Sequence, residues 1–174
     1  MHRGLSRTLL YFGVVLASLQ AHAQAEAGAG STDDTMYELG FHLGNLLPNQ
    51  ISGLTEITGL GGVRAGARIA PLTFMEAGLM TGNGGGADWR DAHVDARMDI
   101  PVQNLEGLAY VGGDTIYYKG IGQSSRLLFG GHVGGGLQTQ LVGGVWFRGD
   151  MKFSFSPGTS LYVGFGLEYR FSDK

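Results

Sequence analysis

The sequence predicts an all-β fold, an up-and-down antiparallel barrel of eight strands, with ten strands as the alternative count. Three observations carry this reading. From Met36 onward apolar residues recur at every second position, the side-chain period of a strand, and no segment longer than a few residues shows a helical period. Turn-forming clusters separate the alternating segments. Glycine supplies 32 of the 174 residues without the three-residue repeat of collagen, so many positions along the strands call for a small side chain.

The first segment reads as an address. Arg3 and Arg7 precede the apolar run Thr8–Leu19, and Ala21-His22-Ala23 then sets small residues around a spacer, the layout of a secretory signal peptide. The run is shorter than the roughly 20 residues of a membrane-spanning helix, so residues 1–23 are expected to be cleaved off. Loss of Arg3 and Arg7 would leave ten basic against fifteen acidic residues, a formal charge of -5. Residues 24–35, rich in Ala, Gly, Ser and acid, read as a flexible leader, residues 36–171 as the barrel and residues 172–174 as a tail.

Five segments alternate cleanly. Tyr37, Leu39, Phe41 and Leu43 oppose Glu38, Gly40, His42 and Gly44. Val63, Ala65, Ala67 and Ile69 oppose Arg64, Gly66 and Arg68. Ala92 to Ile100 opposes Asp91, His93, Asp95, Arg97 and Asp99. Val145, Phe147, Met151, Phe153 and Phe155 oppose Trp146, Arg148, Asp150 and Lys152. Leu161 to Phe171 sets six apolar residues against Tyr162, Gly164, Gly166, Glu168 and Arg170. Weaker candidates at about 72–81, 104–113 and 124–134 bring the count to eight. The breaks fall at Pro48-Asn49, Thr81–Gly86, Pro101–Asn104, Gly134–Gly136 and Ser156–Gly158, while Asp114–Gln123 reads either as a long loop or as an extension of its neighbours. An even strand number lets the sheet close and removes its edges.

Alternation alone fits a soluble, lipocalin-like barrel with its apolar face inward or a transmembrane barrel with that face outward. The polar face favours the second. It mixes charge with glycine, which suits an eight-stranded interior just wide enough to be packed with side chains. Its charges also balance as a lumen network: Glu38, Glu76, Asp91, Asp95, Asp99, Asp150 and Glu168 against Arg64, Arg68, Arg97, Arg126, Arg148, Lys152 and Arg170. Tyr37, Phe153, Phe155, Tyr169 and Phe171 stand near strand ends on the apolar face, as interfacial girdles do.

The ending Gly164-Phe-Gly-Leu-Glu-Tyr-Arg-Phe171 resembles the terminal strand of small Gram-negative outer-membrane β-barrel proteins, although Ser172-Asp173-Lys174 follow the aromatic. The resemblance implies an outer-membrane location, surrounding lipid and lipopolysaccharide as partners, and an assembly signal carried by Gly164, Leu167, Tyr169 and Phe171 that the outer-membrane assembly machinery reads.

The polar residues offer little reactive chemistry. With no cysteine there are no disulfides, thiolate nucleophiles or cysteine-bearing metal sites, and a net charge of -3 offers no basic excess for nucleic acid. No His-x-Ser pair exists to place a base beside a hydroxyl on one strand face; a set built across strands would need His132 with Asp95 and Ser124 or Ser125. His93, Asp95 and His42 form a conceivable metal set, but read as hydrogen-bond partners among lumen charges, so no metal or cofactor is expected. The glycine clusters lack the Gly-Lys-Ser/Thr of a phosphate-binding loop. Trp89 reads as an anchor at the headgroup level in preference to a loop-borne recognition residue. The expectation is a non-enzymatic outer-membrane barrel with a filled, charge-paired lumen and a structural or surface-interaction role. A narrow channel or small-solute transporter, a lipid A-modifying enzyme and a soluble periplasmic carrier are the alternatives, with external loops at about 47–57, 82–90, 112–124 and 156–160.

Overall fold

The computed structural model describes residues 36–54, 56–156 and 158–172. The signal peptide and leader expected over residues 1–35 lie outside them, as do Asp173 and Lys174. The described chain is a closed barrel of eight strands, each hydrogen-bonded antiparallel to its sequence neighbours, with β8 closing on β1. The strands are β1 (Met36–Asn49), β2 (Thr58–Ala70), β3 (Thr73–Gly84), β4 (Ala87–Val102), β5 (Leu105–Lys119), β6 (Arg126–Val142), β7 (Val145–Ser154) and β8 (Thr159–Ser172). The shortest has 10 residues, enough to cross a bilayer at the tilt of a barrel strand.

Alternation sends the apolar set outward. Leu39, Phe41, Leu43, Val63, Leu79, Phe129 and Phe165 are each more than half exposed, whereas Glu38, Glu76, Arg97 and Arg148 are buried in the bore. The apolar face of this barrel therefore does not line the bore, and the lipocalin-like arrangement is excluded by the facing of the side chains.

Three connections at one end, beside Met36 and Ser172, are two residues long: Pro71-Leu72, Gln103-Asn104 and Gly143-Gly144. The opposite end carries residues 50–57, 120–125 and 155–158 together with the tight turn Gly85-Gly86. Both glycines of that turn have positive φ, 57° and 86°, as a two-residue hairpin matched to the strand twist requires.

The expected breaks are corrected in three places. Residues 82–90 are not a loop, because the strands run on to Gly84 and resume at Ala87. Asp114–Lys119 extends β5, which leaves residues 120–125 as the connection. Gly134–Gly136 lies in the middle of β6, where Gly134 pairs with Tyr110 on one side and Lys152 on the other. That glycine run reflects packing rather than turning. A Cβ on Gly134 would strike the Tyr110 ring, and one on Gly136 would strike Gly149 and Asp150.

Candidate functional site: a charge-packed lumen with an apolar mouth

The inward side chains form layers along the bore. At the turn end Arg97, wholly buried on β4, reaches Glu38 on β1 and Glu76 on β3 with one terminal nitrogen, and Asp99 with its Nε at 2.7 Å. Its guanidinium lies 4.5 Å from the centre of the Phe74 ring. Arg170 on β8 joins Asp99 at 3.0 Å and Glu106 at 2.9 Å, and lies 4.2 Å from the Trp146 ring centre.

Midway, Arg148 on β7 contacts Glu76 at 2.7 Å, Asp150 at 2.6 Å and Glu168 at 3.0 Å, while Arg64 on β2 reaches Asp150 at 2.9 Å. Above them Lys152 bridges Asp91 at 2.6 Å and Asp114 at 3.0 Å. His132 on β6 sets one ring nitrogen 2.7 Å from Asp95 and the other 2.9 Å from Asp114. The network thus draws on all eight strands. Buried charges need such partners, and a bidentate or bridging guanidinium serves several carboxylates at once.

Of the expected network, Glu38, Arg64, Glu76, Asp95, Arg97, Asp99, Arg148, Asp150, Lys152, Glu168 and Arg170 are brought together, with Asp91. Two are not. Arg126, the first residue of β6, stands exposed at the loop end beyond the reach of the lumen acids. Arg68 is half-buried at the turn end, where it hydrogen-bonds the Met36 sulfur at 3.3 Å and lies 5.3 Å from the Phe74 ring centre. Asp114, Glu106 and His132 take part without having been placed in the network from sequence. Asp114 carried a legible signal, since it falls on the inward, even-numbered row Leu108–Tyr118 once β5 is read through residue 119.

The even balance of seven and seven is also corrected. Eight carboxylates (Glu38, Glu76, Asp91, Asp95, Asp99, Asp114, Asp150, Glu168) are buried against five guanidinium or ammonium groups (Arg64, Arg97, Arg148, Lys152, Arg170). His132, set between Asp95 and Asp114, offsets part of that excess when it is protonated.

The loop end is built differently. Leu46, Leu60, Met80, Trp89, Ile116, Tyr118 and Tyr162 form an apolar cluster across the bore, and Ile51 and Leu54 of the β1–β2 connection fold down onto it. That connection is tied in place. The Tyr118 hydroxyl donates to the Ser52 carbonyl, the Ile121 N–H donates to the Gly53 carbonyl at 3.0 Å, and the Gln123 side chain donates to Ser52 Oγ at 2.6 Å. Trp89 is 2% exposed and packs edge-on against Tyr118, so it is neither a headgroup anchor nor a loop-borne recognition residue.

Bore dimensions and seat of the histidines restrict the chemistry. A cavity of about 20 Å³, the space of one water, lies among His42, Arg64, His93, Asp95, Arg148 and Lys152. His42 accepts a hydrogen bond from Arg64 at 3.2 Å. Ser124 and Ser125 precede β6, and at the rise of a strand His132 stands about 20 Å from its start, so the cross-strand serine set does not assemble. His93 comes within reach of Asp95 and Glu76 in one group and of Asp91 and Asp114 in another; His42 joins neither.

With this geometry in hand, three solved structures are informative. The N-terminal β-barrel domain of OprF from Pseudomonas aeruginosa matches 79% of this chain and 97% of its own length, at TM-score 0.64 and 10% identity. Neisserial surface protein A matches 82% of this chain and 99% of its own, at TM-score 0.63 and 12% identity. Ail of Yersinia pestis matches 79% and 98%, at TM-score 0.52 and 14% identity. The chain has the fold of the small eight-stranded outer-membrane barrels. No protein-family model matches it, and no curated protein matches it in sequence. At these identities what is shared is the architecture, and the pairing of charges described above rests on this chain's own residues.

Proposed function

We propose that this chain is a non-enzymatic outer-membrane barrel of a Gram-negative bacterium whose lumen is filled by paired charges, and that it serves a structural or surface-interaction role. The observation that carries the reading is the division of the wall. An apolar exterior faces away from a bore in which thirteen charged side chains are buried. A water-soluble protein gains nothing from that arrangement, while a bilayer requires it. In this placement Met36, Ser172 and the three two-residue turns lie at the periplasmic end, and the connections β1–β2, β5–β6 and β7–β8 lie at the outer end. Residues 1–23 direct export, and the assembly machinery reads the β8 strand through Gly164, Leu167, Tyr169 and Phe171. Leu167, Tyr169 and Phe171 face outward on β8, and Phe171 stacks on Tyr37 of β1 at 5.7 Å where the barrel closes.

Two features support a closed barrel over a narrow channel: the ion pairs crossing the bore and the apolar cluster above them. The seating of His132 between Asp95 and Asp114, about 20 Å along β6 from Ser124 and Ser125, supports a non-enzymatic role, because a general base must lie within hydrogen-bond reach of the group it activates. The test is the electrophoretic mobility of the mature chain refolded in detergent, with and without boiling, followed by conductance in planar bilayers. A fast unboiled band and no steady conductance are expected. Solubility without detergent and no mobility shift would overturn the membrane placement, and a steady ohmic current would overturn the filled lumen.

A further inference from the structure

The outer wall carries almost no charge. Among the described strand residues that point outward, the charged ones are Asp88 and Arg90 on β4 and Lys119 on β5, all exposed. They form one patch, since Asp88 pairs with Lys119 and Arg90 with Tyr117 across the same two strands. Arg90 and Lys119 are therefore diagonal neighbours on one face, within joint reach of a single anion. The ion pairs of the described residues run among lumen side chains, and neither Arg90 nor Lys119 enters one. The Arg90 guanidinium lies 5.6 Å from the centre of the Tyr117 ring, which holds it against the barrel wall.

The patch also has a defined depth. Below Arg90 the β4 residues of the same parity are Ala92, Val94, Ala96, Met98 and Ile100, of which Met98 is buried and the others are exposed. At the strand rise and a tilt of about 40°, Arg90 to Ile100 spans about 25 Å along the barrel axis, the height of the apolar band of a membrane barrel. Arg90 and Lys119 thus stand at the loop-end edge of that band, where two unpaired cations are stable only beside anions or water.

We propose that Arg90 and Lys119 bind the phosphate of a phosphorylated lipid in the leaflet at the loop end, with the lipid's acyl chains lying along the apolar column beneath. Tyr117 is the platform that positions Arg90. Asp88 limits the affinity by placing a carboxylate beside the phosphate. This inference rests on the membrane placement above.

The test uses the mature chain refolded in detergent, with retained lipid counted by native mass spectrometry. The probes are bisphosphorylated lipid A, the same lipid dephosphorylated, and inorganic phosphate. Each cation near an anionic surface contributes about fivefold in affinity, so Arg90→Gln and Lys119→Gln should each lower retention of the phosphorylated lipid about fivefold, and the pair about 25-fold. Asp88→Asn should raise it. Arg126→Gln removes a cation from the same end of the barrel without touching the outward face, and should change retention by less than twofold.

Equal retention by wild type and the double variant would overturn the proposal, as would an equal loss from Arg126→Gln, which would indicate a diffuse field. Displacement of the lipid by millimolar inorganic phosphate would overturn the lipid as occupant in favour of a free-anion site. Because the three positions lie outside the lumen, the variants should keep the heat-dependent mobility shift; loss of lipid with the shift retained separates this site from the membrane placement itself.

Discussion

The two ends of the lumen fill the same bore in opposite ways. From Arg97 up to Lys152 the interior is packed by charged groups, and above them it is packed by Leu46, Leu60, Met80, Trp89, Ile116 and the loop residues Ile51 and Leu54. In the charged stretch each side chain is held by geometry, since a guanidinium surrounded by carboxylates tolerates little displacement. In the apolar mouth the contacts are nondirectional and scale with area removed from water. The first region should therefore fail abruptly when one member is deleted, and the second gradually and locally. The two tryptophans report on the two regions, Trp89 within the mouth and Trp146 against Arg170 at the turn end.

The largest effect is expected from Arg97→Met, which keeps volume but leaves Glu38, Glu76 and Asp99 facing one another. Breaking a buried pair from one side costs about 3–5 kcal/mol. Urea unfolding in lipid vesicles should show that loss, and the added change Glu38→Gln should recover part of it. A loss below about 1 kcal/mol would mean that water replaces the missing partner, and the charged stretch would not be the rigid region. Next comes Leu54→Ala in the mouth, at about 2–3 kcal/mol for a buried leucine. Here Trp89 emission should shift to the red with Trp146 unchanged, and conductance should remain absent because the ion pairs below still cross the bore. A steady current from this variant would identify the mouth as the only seal.

Strand count, pairing order and facing were legible in the sequence because a period of two, once a face is chosen, fixes every inward residue. The lumen acids and bases on the cleanly alternating strands β1, β2, β4, β7 and β8 followed from that rule. The exceptions are informative. Arg126 obeys the inward parity of β6 but lies at its first residue, above the level of the lumen acids, and parity says nothing about depth. Arg68 has the right parity near the other end, where Phe74 and Met36 take it up. Gly134–Gly136 resembled a turn because glycine serves both to reverse a chain and to admit a neighbour's ring, and only the cross-strand partner distinguishes the two. The apolar mouth was hidden for a different reason. Trp89, Ile116 and Tyr118 share the inward parity of charged residues farther along the same strands, so one face changes character with depth, which a two-residue period does not encode.

Gly134→Ala tests the charged region by steric means. The new methyl would strike the Tyr110 ring, which lies beside Arg148, 5.7 Å from its guanidinium carbon, and donates its hydroxyl to the Met151 carbonyl at 3.0 Å. Overpacking of this kind costs about 1–2 kcal/mol when neighbours must shift. If the charged stretch is rigid, the same urea titration should register that cost, and Tyr110→Ala in combination should remove the clash although it opens a cavity. A silent Gly134→Ala would show that the ring swings aside and that the middle of the lumen is softer than its ion pairs suggest.

Tyr118→Phe is the smallest and most local change, and it separates the packing of the mouth from its tether. The ring still fills its place against Trp89, and only the hydroxyl that donates to the Ser52 carbonyl is lost. One neutral hydrogen bond is worth about 1 kcal/mol, and the carbonyl it leaves is close enough to solvent to be rehydrated. Global unfolding should therefore shift little, while amide exchange at Gly53, Leu54 and Ile121 should quicken about fivefold as the connection opens more often. Exchange that quickens equally at Ala109 and Val111, in the middle of β5, would mean that the mouth and the charged stretch open together, and the contrast between the two ends would then be one of composition alone.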